Sequence, residues 1–148
     1  MKQIEYWHMQ MFPGGNPEFA AKIPKILEHH KIIGLGDWEE KGSQISDFKN
    51  KMKVNDVVAI KTGAKLIALV QIVGGAYEVP NDKSELGWIY HRRPIRILDW
   101  ALEHKTIPQP RGTLNRCANA DAQTTKIIKE WHDRVKKSFE ERSIPQTV

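Results

Sequence analysis

Cysteine is almost missing from this 148-residue chain, and Cys117 stands alone. One thiol cannot close an internal disulfide, so the expected setting is reducing and cytoplasmic. One cysteine and six scattered histidines show no ligand spacing such as C-x2-C or H-x3-H, so no metal is expected. His29 and His30 are adjacent and would point to different sides of a helix, away from any shared ion. No apolar run approaches the ~18 residues of a membrane span, and Met1-Lys2-Gln3-Ile4-Glu5 has no signal-peptide core. Catalytic signatures are missing as well. There is no G-x-x-x-x-G-K-[ST] and no G-x-S-x-G, and Gly34-Leu35-Gly36 lacks the third glycine of a dinucleotide fingerprint. Arg116 would lower the thiol pKa of Cys117 if the two were close. One cation is thin support for a nucleophile, and a partly buried structural thiol is expected. Asp37, Glu39 and Glu40 read as a solvated acidic turn. These absences lead to a protein that is not itself an enzyme and uses no cofactor.

What the chain does have is positive charge near aromatic rings. The formal net charge is +5 and the isoelectric point about 9.3, a balance that favours a polyanionic partner. Arg92, Arg93 and Arg96 cluster, and Arg111 and Arg116 follow in a loop-like stretch. Lys126, Lys129, Arg134, Lys136 and Lys137 are mixed with acids and read as a solvated helix face. Phe12, Trp38, Tyr77 and Trp100 stand near turns, among Lys61, Arg92, Arg93 and Arg111. Cations that hold phosphates beside rings that hold bases suit nucleic acid. Trp38 follows Gly34-Leu35-Gly36-Asp37 and precedes a polar run. It either folds back onto the core or stands as a stacking wall for a planar ligand. Trp7, Trp88 and Trp131 have strand or helix spacing and belong to the core. Trp100 is open between the two roles.

The pattern of apolar and turn residues predicts a strand within Ile4–Phe12, ended by Pro13-Gly14-Gly15. A helix capped by Asn16, with Pro17 first, runs to about His30, and Pro24 splits it or marks a second start. Lys31–Leu35 is a short strand. A helix from Ser43 carries Ile45, Phe48 and Met52. Val57–Ile60 and Leu66–Val73 are hairpin strands joined at Thr62-Gly63-Ala64-Lys65. Leu86–Leu98 is a strand whose Pro94 demands an edge, a bulge or a break. Trp100 then begins a short helical stretch. Lys105–Asn119 is loop, and Asp121 to about Arg142 is a helix. This is one domain over residues 1–142, with 143–148 a tail or the start of a linker. The order of elements predicts an α+β fold on a curved or closed sheet of about five to six strands, with flanking helices.

That order resembles the PUA-like superfamily, and within it the EVE and YTH domains, from about Ile4 to Val135. The resemblance rests on a short strand leading to a Trp (Ile32-Ile33-Gly34-Leu35-Gly36-Asp37-Trp38) and on the turn and strand Met52-Lys53-Val54-Asn55-Asp56-Val57-Val58. The hairpin Ile60-Lys61-Thr62-Gly63 and the stretch Trp88-Ile89-Tyr90-His91-Arg92 complete it. It implies recognition of a modified base, flipped into an aromatic pocket. Trp38 would be one wall, beside Asp37, and Gln10 and Phe12 would line the pocket. Lys61, Thr62 and Gly63 would contact the base edge or nearby backbone. Arg111 matches a phosphate-loop position, with Arg92, Arg93 and Arg116 as further phosphate contacts. The loop at 79–85 lacks the second wall Trp of some relatives, so the second wall comes from Tyr77, Trp100 or an apolar side chain, or is missing. Gly112 replaces an acidic residue that often follows the phosphate-loop Arg. Among the branches, the chain looks most like the N-terminal DNA-recognition domains of McrBC-type modification-dependent restriction systems. The implied partners are DNA carrying a modified base, a GTPase motor domain and a nuclease subunit. RNA is the alternative ligand, and an ASCH-type enzyme acting on modified nucleosides the alternative activity.

Overall fold

In β1 (Tyr6–Met9) alternate residues face opposite ways. Trp7 and Met9 enter one core, while Tyr6 packs on a second. β3 (Val57–Thr62) repeats the alternation: Val58 and Ile60 join the first core, Val57 and Ala59 the second. A strand covered on both faces reads as a continuous apolar run, as Val57-Val58-Ala59-Ile60 does. The computed structural model describes residues 4–11, 17–36, 42–62, 65–101, 114–118 and 121–148, with backbone alone for 17–20. β1 and β3 pair in parallel, Tyr6 opposite Val57 and Met9 opposite Ile60. Parallel neighbours need a crossover. It comprises α1 (Pro17–His30), β2 (Ile32–Leu35) and α2 (Gly42–Ser46), which runs on into a π-helical turn at Asp47–Lys51. α1 is continuous through Pro24.

β4 (Lys65–Ile72) returns antiparallel to β3, β5 is the short Tyr77–Glu78, and β6 (His91–Trp100) lies antiparallel to β4. β6 serves two partners. Its residues from His91 to Pro94 pair with β2, and those from Ile95 to Trp100 pair with β4. Pro94, which lacks a donor, stands where the partner changes. β2 approaches β6 so closely that a Cβ on Gly34 would collide with the His91 carbonyl oxygen and the Ile89 side chain. β7 (Leu114–Arg116) pairs antiparallel with β1. The sheet order is β2-β6-β4-β3-β1-β7, with β5 beside β6. Leu35 of β2 and Leu114 of β7, from the two ends of that order, share one core. Only a curled sheet allows this, so the sheet is a half-barrel. α1 fills its inside with Ile23, Ile26 and Leu27. α3 (Gln123–Glu141) covers the outside with Ile128, Trp131, Val135 and Phe139, and Trp131 Nε1 donates to Asp99 Oδ2 at 2.6 Å.

The α+β curved sheet is as expected: among the described residues six strands make up its order, and the two-residue β5 adds to its edge beside β6. Two local expectations are corrected, at Leu86–Tyr90 and at Leu114–Arg116. Leu86–Tyr90 is turn and not strand, closed by Gly87 N donating to Ser84 O at 3.1 Å and Ile89 N to Leu86 O at 2.9 Å. Trp100 ends β6, and the short helical stretch read after it lies outside the described residues. Leu114–Arg116, read as loop, becomes strand because β1 offers it a free edge. The C-terminal stretch is tied down: Arg96 Nη2 donates to Pro145 O at 2.7 Å, Gln71 Nε2 to Gln146 O at 2.7 Å, and Val148 N to Asn55 Oδ1 at 2.8 Å.

Candidate nucleic-acid interface

β1, β3 and β6 all run the same way, so their C-terminal ends form one rim. Gln10, Thr62 and Trp100 stand there, with Lys65 at the start of β4 and Leu114 at the start of β7. Gln44 Oε1 accepts from Leu114 N at 2.6 Å, which ties the start of α2 to the same rim. Ile67 is an extra residue on β4, lying between the Lys61–Leu66 and Ile60–Ala68 pairs. A bulge of this kind bends its strand and re-aims side chains. Beside it lies a groove of about 500 Å³, walled by Ala21 and Pro24 of α1, Thr62 and Lys65 of the hairpin, and Trp100. That volume falls within the range of small-ligand sites. Two expected pocket residues, Thr62 and Trp100, therefore meet in one groove. The sequence also placed Lys65 in this hairpin turn but gave it no role.

Lys61 goes the other way. Neighbours on a strand face opposite sides, so Thr62 opens on the groove while Lys61 joins the outer face with Leu66 and Ala59. Lys61 is 2% exposed. It forms no hydrogen bond or ion pair among the described residues, and burial lowers its ammonium pKa. His8, opposite Ala59 on β1, is also buried, and its Nδ1 has no partner among the described residues. Burial, and then the charge of Lys61, pull its pKa down to about 4. Nothing in the sequence flagged His8, although a histidine inside an apolar strand was the available signal. Gln10 follows Met9 on the same strand, half-buried and with a polar contact of its own.

The phosphate role expected of Arg92 and Arg93 does not fit where they lie. Arg93 donates from Nε to Phe48 O at 2.8 Å and from Nη1 to Gly74 O at 3.1 Å. Its Nη2 donates to Met52 O at 2.6 Å and Lys49 O at 3.2 Å. Arg92 donates to Ile89 O at 2.7 Å, Leu86 O at 3.0 Å and Asp82 Oδ2 at 2.6 Å. Both guanidiniums are buried and hold loops to the sheet. Hydrogen bonds from Ser84 and then Arg92 draw the Asp82 carboxyl down to about 2. Arg116 is different: it is exposed and meets Glu5 only at 3.5 Å. It lines a cleft of about 350 Å³ with Tyr6, Cys117 and Lys129. Burial pushes the Cys117 thiol up to about 11, which keeps it protonated near neutral pH.

Tyr77 pairs with Arg92, eight residues before Trp100 on β6. That is on the order of 25 Å along the strand, so Tyr77 and Trp100 are not brought together. Trp38, Phe12, Asp37, Gly63 and Arg111 lie outside the described residues. No helix among the described residues is long and apolar enough to cross a membrane.

No family model matches the chain, and no curated protein matches it. Solved structures do. The YTH domain of a Zygosaccharomyces rouxii protein, in complex with N6-methyladenosine RNA, aligns with a TM-score of 0.52 at 10% identity, over 90% of this chain and 87% of that one. A hypothetical protein from Leishmania major aligns with a TM-score of 0.54 at 11% identity, over 89% and 97% of the two chains. At such identities the likeness speaks to the fold alone: the half-barrel is folded like that YTH domain.

Proposed function

We propose that this chain is a reader of a methylated base in nucleic acid. The observation that carries the reading is the rim groove, where Trp100, Thr62 and Lys65 line one cavity of about 500 Å³. A YTH domain solved with N6-methyladenosine RNA on the same fold supports it. The base is extruded at a cost of a few kcal/mol. Stacking on one ring returns roughly 1–3 kcal/mol. A buried methyl adds about 0.8 kcal/mol, alone about a fourfold preference. Selectivity therefore depends on shape and hydrogen bonds that exclude other bases. Trp100 is one wall in this reading, and Trp38 is the other. Lys65 and Arg116 hold phosphates, as does Arg111.

The ligand we favour is DNA, with the chain as the specificity module of a modification-dependent restriction system of McrBC type. A GTPase motor and a nuclease would come from other domains or subunits, and the chain itself binds without catalysing. The RNA in the Zygosaccharomyces rouxii complex favours RNA as the second reading. Polarisation titrations with DNA and RNA of one sequence, each with and without base methylation, separate the two. Tighter binding to methylated DNA is expected. Tighter binding to methylated RNA moves the assignment to RNA, and equal affinity for all four oligonucleotides removes base reading altogether. Mass spectrometry after incubation with modified nucleosides is expected to find them unchanged; a converted product would make the chain an enzyme.

A further inference from the structure

Lys61 and His8 are two buried residues whose side chains have no hydrogen-bond or ion-pair partner among the described residues. Lys61 is 2% exposed and His8 6% exposed. Lys61 meets no carboxylate within ion-pair distance among the described residues, and His8 Nδ1 has no hydrogen-bond partner. Taking an ammonium out of water without a counter-charge costs folding free energy, and so does burying an imidazole nitrogen unpaired. Native proteins keep few such groups, and those they keep ask for an explanation. The two are also neighbours. His8 pairs with Ala59 on the parallel β1–β3 ladder, and Lys61 is two residues beyond Ala59. Both side chains leave the same face of the sheet, roughly 7 Å apart along the strand direction. The face is the outer one, and Leu66, opposite Lys61 on β4, also borders the groove.

We infer that Lys61 and His8 form a subsite for a phosphate oxyanion. The ammonium supplies charge and donors, and the neutral imidazole supplies one more donor when its proton sits on Nδ1. An oxyanion arriving there satisfies both groups at once, which no residue described around them does. The source of the phosphate, a backbone phosphodiester beside the extruded nucleotide, rests on the nucleic-acid reading; the anion chemistry does not. Of the two contacts the resemblance left open for Lys61, base edge or nearby backbone, the subsite takes the second and adds His8 to it.

The test uses the full chain and unmethylated ligands, so that a failure of base reading leaves it intact. Thermal melts are run with and without inorganic phosphate, and polarisation titrations with an unmethylated single-stranded oligonucleotide across a salt series. The variants are Lys61→Met, Lys61→Gln and His8→Gln. Inorganic phosphate is expected to raise the melting temperature of the parent chain. Without phosphate, Lys61→Met is expected to melt higher than the parent, because it removes an unpaired buried charge, and to ignore added phosphate. Its affinity for the oligonucleotide is expected to fall about tenfold, and its log K against log salt slope to lose about one unit. If Lys61→Met does not fold, Lys61→Gln and the His8 imidazole ¹⁵N shift on adding phosphate to the parent chain give the same reading. A parent chain that responds to phosphate, with oligonucleotide affinity unchanged in the variants, overturns the backbone source in favour of free phosphate. A variant that melts lower than the parent and still responds to phosphate makes Lys61 structural and overturns the subsite. So does a parent chain that responds to neither ligand.

Discussion

Arg93 and Lys61 are both cations buried in the sheet, 4% and 2% exposed, yet their surroundings differ completely. Arg93 has four carbonyl oxygens, on Phe48, Lys49, Met52 and Gly74, and the charge of Asp56 offsets part of its desolvation. The planar fork of a guanidinium allows one side chain to tie several backbone segments together. Here it fixes the π-helical turn and the end of the β4 region to β6. Lys61 has no such partner. A buried charge with four of its five donors on backbone carbonyls is architecture, and one with no partner among the described residues is where we place a ligand. Two basic residues that look alike in a charge count thus belong to different parts of the problem.

The largest break in this comparison is Arg93→Ala. It leaves four carbonyls without their donor and is expected to cost about 3–5 kcal/mol, read as a drop in the urea midpoint. Arg93→Lys restores charge without the fork and is expected to recover only a minor part. Asp56→Ala comes next. Its carboxylate takes Trp7 Nε1 at 3.1 Å, Lys53 N at 3.0 Å and Glu5 N at 3.2 Å. Stranding those donors is expected to cost about 2–3 kcal/mol by the same measurement.

Acid separates the histidines from Arg93. His8 and His132 are both pulled down to about 4, chiefly by burial. The unfolded chain takes up protons near pH 6.5 while the folded chain does not, so stability is full above that pH and is lost as pH falls toward 4. Arg93 keeps its charge over that range and its bonds are untouched. The urea midpoint is expected to be flat from pH 7 to 8 and to fall below about pH 6. His132→Gln is expected to flatten part of that slope, and a midpoint unchanged down to pH 4.5 would remove the neutral-histidine account.

Much of the fold was legible because it follows from period. Val57-Val58-Ala59-Ile60 announces a strand covered on both faces, and Ile128, Trp131, Val135 and Phe139 repeat at helical spacing. What stayed hidden depends on partners distant in the chain. Leu114–Arg116 becomes a strand only because β1 has an edge for it. Trp88 and Tyr90 have strand composition, yet the backbone turns there, and Arg92 ties Leu86 and Ile89 into that turn. The site was readable in part. Thr62 and Trp100, both read as pocket candidates, line one groove. The fate of a cation was not readable, since sequence gives the charge of Arg92, Arg93 and Lys61 and not the carbonyls around them.

Binding tests the groove side of the rim. Trp100→Ala removes the ring that walls it and is expected to weaken binding of the methylated oligonucleotide by roughly 1–3 kcal/mol. Trp100→Phe, which keeps a stacking face, is expected to lose less. Trp38→Ala is expected to cost at least about 1 kcal/mol of the same affinity without unfolding the domain. Unchanged affinity in a polarisation titration removes either ring from the pocket.

The smallest effect is the one that bears most directly on the two cations. Lys61→Met in phosphate-free buffer is expected to gain about 1 kcal/mol of stability, because an apolar side chain of similar length replaces an unpaired buried charge. Arg93 stands near the start of β6 and Lys61 near the end of β3, with separate partners, so their effects are expected to add within about 0.5 kcal/mol. A double variant, Arg93→Lys with Lys61→Met, measures this by urea unfolding. Additivity keeps architecture and ligand site as independent features of one sheet. Strong coupling would mean that the loops held by Arg93 also shape the surroundings of Lys61, and the division between the two cations would fail.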